Sequence, residues 1–183
     1  LIGLQDDVLH LGLGPAAPQP ALQHRLDDTR DGDLVELCPA ARPILSEAAR
    51  RIAGHGGAAL IVDYGDWRSL GDTLQALRGH ERDDILSDPG QADLTAHVDF
   101  EPLAEAARDA GCTHSRLTTQ GVFLERLGIT ARAQTLARGL DGAALEDLVA
   151  AHRRLTHPGE MGNLFKVLGL CPADRNLPPG LDP

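Results

Sequence analysis

Polar side chains that could bind or position a ligand are concentrated in the connections that flank the candidate strands of this chain. The set contains carboxylates, amides, hydroxyls, imidazoles and one phenol: Asp63, Tyr64, Asp72, Thr73, Gln75, His80, Asp93, Thr95, His97, Asp99 and Gln120. Hydrogen-bond acceptors of this kind can orient a polar or cationic substrate. The same residue types also cap helices and fold loops, so a structural role is an equal alternative for any one of them.

A metal-dependent hydrolase is a weaker alternative. His97 and Asp99 would share a face of an extended segment, and with His80 they are ligand types for several divalent ions. Two ligands do not complete a site, however, and Asp99 is expected to cap a helix. The sequence contains no P-loop, GxSxG, HExxH, CxxC or GxGxxG pattern, so the local motifs of phosphate transfer, serine hydrolysis and zinc catalysis are missing. We therefore expect no metal site.

The stretch from Gly56 to Gly65 is the best candidate for a central strand. Its five apolar residues, Ala58 to Val62, lie between a glycine pair and an acidic turn, which is too short for a helix and typical of a buried parallel strand. A helix-like segment, 39–53, precedes it, so the pair forms one αβ unit. Ligands gather beyond the carboxyl ends of such strands, so we expect Asp63, Tyr64 and Gly65 to line a cleft.

The remaining patterns predict a single α/β domain over residues 1–183. In chain order we expect a β-hairpin at 1–14, a strand at 33–38, a polar connection at 66–95, a helix capped by Asp99, a strand at 114–119, helices near 122–128, 131–138 and 143–155, a last strand at 163–171 and a loose tail at 172–183. The polar region is longer than a connector needs, and long ordered loops are usually functional. We therefore predict that 71–99 is a substrate-side loop region.

Composition narrows the function classes. The 183 residues are 42% hydrophobic and 24% charged, as in a soluble globular protein. Aromatic residues supply 3% and the net charge is −10, which disfavours nucleic acid as a partner. Three cysteines without CxxC spacing argue against a disulfide framework and favour a reducing compartment. No apolar run approaches about 18 residues, so we expect no membrane span.

The first residue is Leu1 and the one methionine is Met161. We therefore expect a processed, truncated or partly observed piece of a longer protein.

Five blocks of this sequence resemble, in the same order, the MidA-type S-adenosylmethionine-dependent methyltransferases. The blocks are GGAALIVDYG, GDTLQALRGH, DPGQADLTAHVDF, TQGVFLERLGI with the Arg132 that follows, and MGNLFKVLGL. The family includes a mitochondrial arginine methyltransferase that assists the assembly of respiratory complex I. The resemblance runs from about Leu1 to Leu170, and several ordered blocks are more specific than one motif.

The resemblance implies a class I, Rossmann-like methyltransferase sheet of seven strands, mostly parallel with a late antiparallel strand. The strand at Ala58 to Val62 would be a middle strand, and 163–170 the antiparallel one. It also implies S-adenosylmethionine as the cofactor of the full-length parent. The family's glycine-rich cofactor loop, ribose-binding acid and Asn-Glu strand end lie upstream of the part seen here. We therefore expect the carboxyl half of an enzyme, inactive alone, with Asp63, Tyr64 and Gly65 as the cofactor-side residues that remain.

The implied reaction is methylation of an arginine nitrogen on a partner protein, and the acidic balance suits a cationic acceptor. The catalytic candidates are Asp72, Gln75, His80, Asp93 and His97, and Thr73, Thr95 and Gln120 join them as candidates for substrate binding. A non-catalytic α/β interaction module is the alternative. We expect the missing amino-terminal half or a second copy to complete the sheet. The expected compartment is the cytoplasm of a bacterium or the mitochondrial matrix of a eukaryote.

Overall fold

The computed structural model describes residues 1–183, with short strands and six α-helices. The elements, in chain order, are β1 (Ile2–Gln5), β2 (Val8–Leu11), a 3₁₀-helix (Pro20–Arg25), α1 (Ala41–His55), β3 (Ala59–Asp66), β4 (Gln75–Arg78), β5 (Glu81–Asp83), β6 (Asp93–Thr95), β7 (Val98–Asp99), α2 (Glu101–Asp109), β8 (Cys112–His114), β9 (Thr118–Thr119), α3 (Gln120–Arg126), α4 (Ile129–Ala137), α5 (Gly142–Thr156), α6 (Met161–Leu164) and β10 (Phe165–Pro172).

The residues pack into two compact units. The first unit contains Leu1–Glu36 and Leu70–Ala96, and the second contains Leu37–Ser69 and His97–Pro183. The expectation of one α/β domain over 1–183 stays a prediction. None of the helices is long and apolar enough to cross a membrane.

The second unit is built on a mixed sheet in the order β7-β3-β10-β8, with β9 also paired to β10. β10 is antiparallel to both β3 and β8, whereas β7 is parallel to β3. The late antiparallel strand expected near 163–170 is thus present, although its first two residues belong to α6. Helices α1 and α2 cover one face of this sheet, and their core contains Ala49, Phe100, Leu103, Ala104, Ala107, Cys112, Leu168 and Leu170.

Strand β3 is the central strand expected from the apolar run, but it is longer and less buried than predicted. It continues to Asp66, so the three residues expected in a turn after the strand are part of it. Only one face is covered, because Leu60 and Val62 remain 48% and 46% exposed while Ile61 packs toward the core. β7 pairs with β3 only at Gly65 and Asp66, so the rest of that β3 edge has no strand beside it.

The prediction of a polar connection without regular structure at residues 66–95 is wrong, because this range contains the three strands β4, β5 and β6. β4 pairs antiparallel with both β5 and β6 in a three-stranded sheet. The expected strand at 33–38 is also wrong, since no strand is present there. The amino-terminal hairpin is confirmed as β1 and β2, and its turn places Asp6 and Asp7 at positive φ, as a two-residue type I′ turn requires.

Two local predictions change at the ends of elements in the second unit. Asp99 does not cap α2, because it pairs with Asp66 in β7 and Phe100 occupies the cap position. The strand expected at 114–119 is interrupted at Ser115, whose backbone amide donates to the Gly169 carbonyl at 2.8 Å. The Ser115 hydroxyl accepts from the Gly169 amide at 2.9 Å. Ser115 therefore remains hydrogen-bonded to β10 in the gap between β8 and β9, through its backbone amide and its side-chain hydroxyl.

The carboxyl-terminal tail is not loose. The backbone amide of Arg116 donates to the Asp182 carbonyl at 2.9 Å, and the Arg126 guanidinium lies 2.5 Å from the Asp182 carboxylate. Leu181 packs over Gly169 of β10. Backbone pairing, an ion pair and an apolar contact together fix the tail on the second unit.

Gly65 provides a direct test of the β3–β7 junction. A Cβ at this position would lie 2.1 Å from the Val98 carbonyl oxygen, and backbone cannot move away as a side chain can. We expect Gly65→Ala to lower the free energy of unfolding by about 1–3 kcal/mol. Denaturant unfolding measures it.

Gly54→Ala is the matched control, because a Cβ on this helical glycine of α1 meets no atom within 4 Å. It should raise stability by about 0.5–1 kcal/mol through helix propensity. Equal effects of the two substitutions would contradict the close approach at Gly65.

Candidate functional site

Three aromatic rings meet at the carboxyl end of β3. The Tyr64 ring centroid lies 5.8 Å from that of His97 and 5.3 Å from that of Phe165, both edge-to-face. Phe165 is the residue opposite Tyr64 in the β10–β3 register, so the two side chains leave the same face of the sheet. All three residues are half-buried. The rings are therefore packed together yet still reachable by a ligand.

Asp63 and Gly65 offer less to a ligand than their neighbour. The Asp63 carboxylate accepts a hydrogen bond from the Tyr64 amide at 2.8 Å. Gly65 is closed by the Val98 backbone, which leaves no space on its α-carbon. Of the three residues expected at the cofactor side, Asp63 and Tyr64 are half-buried and Gly65 is buried.

An ion pair that the sequence analysis missed holds the end of β3 against α2. The Glu101 carboxylate accepts from Arg68 Nε at 2.6 Å and Nη2 at 2.9 Å, and also from the Trp67 indole at 3.2 Å. The paired geometry is the strong, bidentate form of an arginine–carboxylate contact. The sequence offered one signal for this ion pair, which is that Glu101 stands at the first position of a predicted helix and is followed by a proline.

Three of the predicted substrate residues share one face of the small sheet in the first unit. Gln75 pairs with Thr95 and Leu77 pairs with Asp93 across β4 and β6. Residues two apart in a strand point to the same side, so the Gln75 amide, the Asp93 carboxylate and the Thr95 hydroxyl belong to one surface. We call this surface the acceptor face. The Thr95 Oγ1 atom is buried and has no hydrogen-bond partner.

Glu36 positions the entry to β4, and the sequence analysis missed it because it placed this residue in a strand. Its carboxylate accepts hydrogen bonds from the backbone amides of Thr73 at 3.0 Å and Leu74 at 2.8 Å. The Thr73 hydroxyl donates to the second carboxylate oxygen. Nearby, the Gly71 amide donates to the Leu34 carbonyl at 2.9 Å. Glu36 therefore holds Thr73 at the entry to β4, and a role of Thr73 in substrate binding stays a prediction.

Three other sequence-predicted residues are placed as follows. His80 is at the exposed tip of the β4–β5 hairpin with φ of 71°, and Asp72 is exposed before β4. The Gln120 side-chain amide donates to the Leu155 carbonyl at 2.9 Å, so it fastens α3 to the end of α5. A cleft of about 460 Å³ next to this junction is lined by Val122, Glu125 and Asn163, among others.

Two further features are electrostatic. Arg78 bridges Asp83 at 2.7 Å and Asp88 at 3.0 Å. Hydrogen bonds from the Asp84 amide and Ser87, with the Arg78 charge, lower the pKa of Asp83 below its ordinary value. Residues 1–183 contain no group of three or more His, Cys, Asp or Glu side chains that could hold a metal ion.

The three thiols are free, with Cys38 exposed and Cys112 and Cys171 buried. Burial raises the pKa of Cys112 and Cys171, which keeps both thiols protonated and unreactive.

Substitution of Glu36 tests whether this carboxylate organises the acceptor face. Glu36→Gln keeps the shape but replaces one acceptor oxygen by an NH₂ group, which cannot accept the hydrogen bonds described above. We expect a loss of about 1–3 kcal/mol in the free energy of unfolding, together with faster proteolysis near Leu74. Glu81→Gln, on the exposed part of β5, should change stability by no more than about 0.5 kcal/mol. A Glu36→Gln variant as stable as this control would mean that the carboxylate is dispensable.

Comparison with known proteins gives a consistent family assignment. The family model described as an S-adenosyl-L-methionine-dependent methyltransferase matches residues 3–118. The chain is 36% identical to the mitochondrial protein arginine methyltransferase NDUFAF7 of Xenopus tropicalis over 177 residues, which is 94% of this chain and 41% of that protein. It is 37% identical to the human protein of the same name over 172 residues, covering 92% of this chain and 38% of that protein.

A solved structure supports the same assignment. The chain superimposes with a TM-score of 0.79 and 26% identity on a COG1565 superfamily member from Burkholderia thailandensis bound to S-adenosyl-homocysteine, over 96% of this chain and 47% of that one. The chain thus spans 38% to 41% of the lengths of the two curated relatives described above and about half of the solved structure. The family match covers most of the chain, and the sheet with its late antiparallel strand agrees with it. The chain therefore belongs to the S-adenosyl-L-methionine-dependent methyltransferase family that the five sequence blocks resemble.

Proposed function

We propose that the full-length protein transfers a methyl group from S-adenosylmethionine to an arginine nitrogen of a partner protein. The family assignment supports the transfer chemistry, and relatives at 36% and 37% identity carry the name protein arginine methyltransferase. The structural observation that carries the choice of acceptor is the acceptor face, on which a carboxylate, an amide and a hydroxyl lie on one side of a small sheet.

The reaction asks for positioning rather than for a covalent nucleophile. S-adenosylmethionine, when bound, supplies an electrophilic methyl group, and the acceptor nitrogen must approach it in line. The residues of this chain would therefore hold the guanidinium in one orientation and accept its hydrogen bonds. The attacking nitrogen also loses a proton in the course of the transfer, and a nearby carboxylate can accept that proton as a general base.

The acceptor face suits a guanidinium better than other cations. Arginine presents five N–H donors in a plane and has no acceptor, so a binding surface needs oxygen acceptors spread along one side. Asp93 supplies charge, and the Gln75 amide and the Thr95 hydroxyl supply neutral oxygens. The buried Thr95 Oγ1 without a partner is a group whose hydrogen bond a ligand would complete. The other candidates, Asp72, Thr73, His80, His97 and Gln120, are proposed only as peripheral contacts.

The cofactor side in this chain is incomplete. With the Asp63 carboxylate already accepting from a backbone amide and Gly65 closed by Val98, the three cofactor-side residues do not make a site for S-adenosylmethionine by themselves. We propose that they form a supporting wall beside a main site built by other parts of the full-length protein.

The exposed edge and face of β3 also need covering. Beyond its two-residue pairing with β7, this β3 edge presents unpaired backbone groups, and half-exposed Leu60 and Val62 lie on one face. Unpaired edges with apolar side chains invite association. We propose that a further segment of the full-length protein, or a second copy, completes the sheet.

The proposed cellular compartment depends on whether the chain comes from a eukaryote or a bacterium. Both of the relatives described above are named as mitochondrial proteins. We propose the mitochondrial matrix if the source is a eukaryote and the cytoplasm if it is a bacterium.

The isolated 183-residue chain can be tested for cofactor binding. Because it lacks a glycine-rich strand-to-helix turn for a nucleotide-like ligand, we expect no measurable binding of S-adenosylmethionine by calorimetry and no methyl transfer. The full-length protein, titrated in parallel, is the positive control. Micromolar binding by the isolated chain would show that the cofactor site lies within it.

The second prediction concerns the charge on the acceptor face. Asp93→Asn keeps the side-chain shape and removes the charge, so turnover of the full-length enzyme should fall by about ten- to a thousandfold, equivalent to about 1.4–4 kcal/mol. Affinity for S-adenosylmethionine should stay unchanged. Steady-state kinetics and calorimetry measure the two quantities.

Asp31→Asn is the matched control, because Asp31 is an exposed aspartate in the same unit. It should leave turnover within about twofold of the parent, since a solvated surface charge contributes little. If Asp93→Asn instead melts early and loses cofactor binding together with turnover, Asp93 is a structural residue and not part of an acceptor site.

A further inference from the structure

The ring cluster of Tyr64, His97 and Phe165 is unusual for a chain so poor in aromatic residues. The sequence holds one Tyr, one Trp and three Phe, and two of these five rings meet an imidazole at the carboxyl end of β3. Phe100, by contrast, is fully buried, and Phe123 is 8% exposed. Packing of the core therefore explains the buried rings. The ring cluster is only half-buried, so part of its surface is accessible to solvent.

Its surroundings carry negative charge. Asp66 lies two residues after Tyr64 in β3 and therefore on the same face of the sheet. It is exposed, and its carboxylate accepts a hydrogen bond from the Trp67 amide at 2.7 Å. Asp63 and its register partner Lys166 belong to the other face, and the Lys166 ammonium donates to the Asn163 carbonyl at 2.8 Å. The net charge of the chain is −10. These charges favour an incoming cation over an anion.

Aromatic faces attract organic cations through the ring quadrupole, most strongly when the cation is partly desolvated. We propose that Tyr64, His97 and Phe165 form a cation-binding surface that discriminates a positively charged ligand group from its neutral counterpart. The inference rests on the proposed methyl transfer, because that reaction brings two such groups: the sulfonium of S-adenosylmethionine and the guanidinium of the acceptor. Both are weakly hydrated cations, which the face of a ring can attract without a hydrogen bond.

The experiment uses paired ligands that differ in charge at one group. S-adenosylmethionine is compared with S-adenosylhomocysteine, whose thioether is neutral, and a Gly-Arg-Gly repeat peptide is compared with the same peptide carrying citrulline. Dissociation constants are measured by calorimetry on the full-length protein. For each pair, the readout is the dissociation constant of the neutral ligand divided by that of the charged ligand, which we call the charge-preference ratio.

Tyr64→Leu removes the central ring, and Tyr64→Phe keeps it while removing the hydroxyl. We expect Tyr64→Leu to lower one of the two charge-preference ratios by about 3- to 30-fold, with Tyr64→Phe within about twofold of the parent. Phe165→Leu should lower the same ratio in the same direction. Because Tyr64 belongs to the proposed wall of the cofactor site, folding of the three variants is checked without a ligand, by circular dichroism and thermal unfolding, and should match the parent.

Val62→Ala is the matched control, since Val62 lies on the same face of β3 two residues earlier and carries no ring. Its ratios should equal those of the parent. A changed ratio for the sulfonium pair assigns the surface to the cofactor, and a changed ratio for the arginine pair assigns it to the acceptor. The proposal is overturned if both ratios survive Tyr64→Leu, or if Tyr64→Phe reduces a ratio as much as Tyr64→Leu does. Failure of the proposed function looks different, because the parent protein itself would then bind neither S-adenosylmethionine nor its product.

Discussion

The pairing of β10 between β3 and β8 is the interaction on which the second unit depends. β10 is in register with β3 from Phe165 to Leu170 and with β8 from Leu170 to Pro172, and every residue from Val167 to Pro172 is buried. Neither β3 nor β8 pairs with the other, so without β10 the two would have no common sheet. Since β10 lies about 100 residues after β3, this contact closes a long loop and is expected to form late in folding.

The same strand explains why the ends of several elements are fixed. Leu168 and Leu170 reach into the core beneath α1 and α2, and Gly169 exchanges hydrogen bonds with Ser115. On the opposite side, Gly169 lacks a Cβ where Leu181 of the tail packs. Phe165 at its beginning lies against Tyr64. The contact between Phe165 and Tyr64 is thus a consequence of the sheet register.

Sequence patterns predicted the elements whose signal is apolar and long. The run from Ala58 to Val62 located β3, and the periodic residues before it located α1. The strands of the first unit were missed because each has three or four residues and includes charged positions such as Glu81, Arg82 and Asp83. Their register comes from tight turns and cross-strand pairing, which a periodicity test of a single segment does not detect.

For the candidate site, residue types were predicted better than residue roles. The apolar neighbours of Glu36 led to the prediction of a strand at this segment. In the structure, the Glu36 carboxylate instead accepts hydrogen bonds from the backbone amides of Thr73 and Leu74, which are distant in the sequence. Asp99 was assigned to a cap and lies in β7 instead. The Glu36 error arises because a carboxylate can accept from local or distant amides, and tertiary packing decides between them. The Asp99 error arises because the short β3–β7 pairing is not visible in the local sequence. The resemblance to a family supplied what local patterns could not, because ordered blocks carry information about long-range contacts.

The arrangement on the acceptor face also bears on the choice between arginine and lysine. An ammonium is a compact point charge that needs one strong acceptor, whereas a guanidinium spreads its charge and its donors over a plane. On this face one carboxylate is accompanied by two neutral oxygens on neighbouring strands, and the planar fork of a guanidinium suits acceptors that are spread along one side. An ammonium also carries three donors, but its charge is concentrated at one nitrogen and would be attracted chiefly by Asp93. Selectivity for arginine can therefore arise from the neutral oxygens, while the carboxylate provides attraction for either cation.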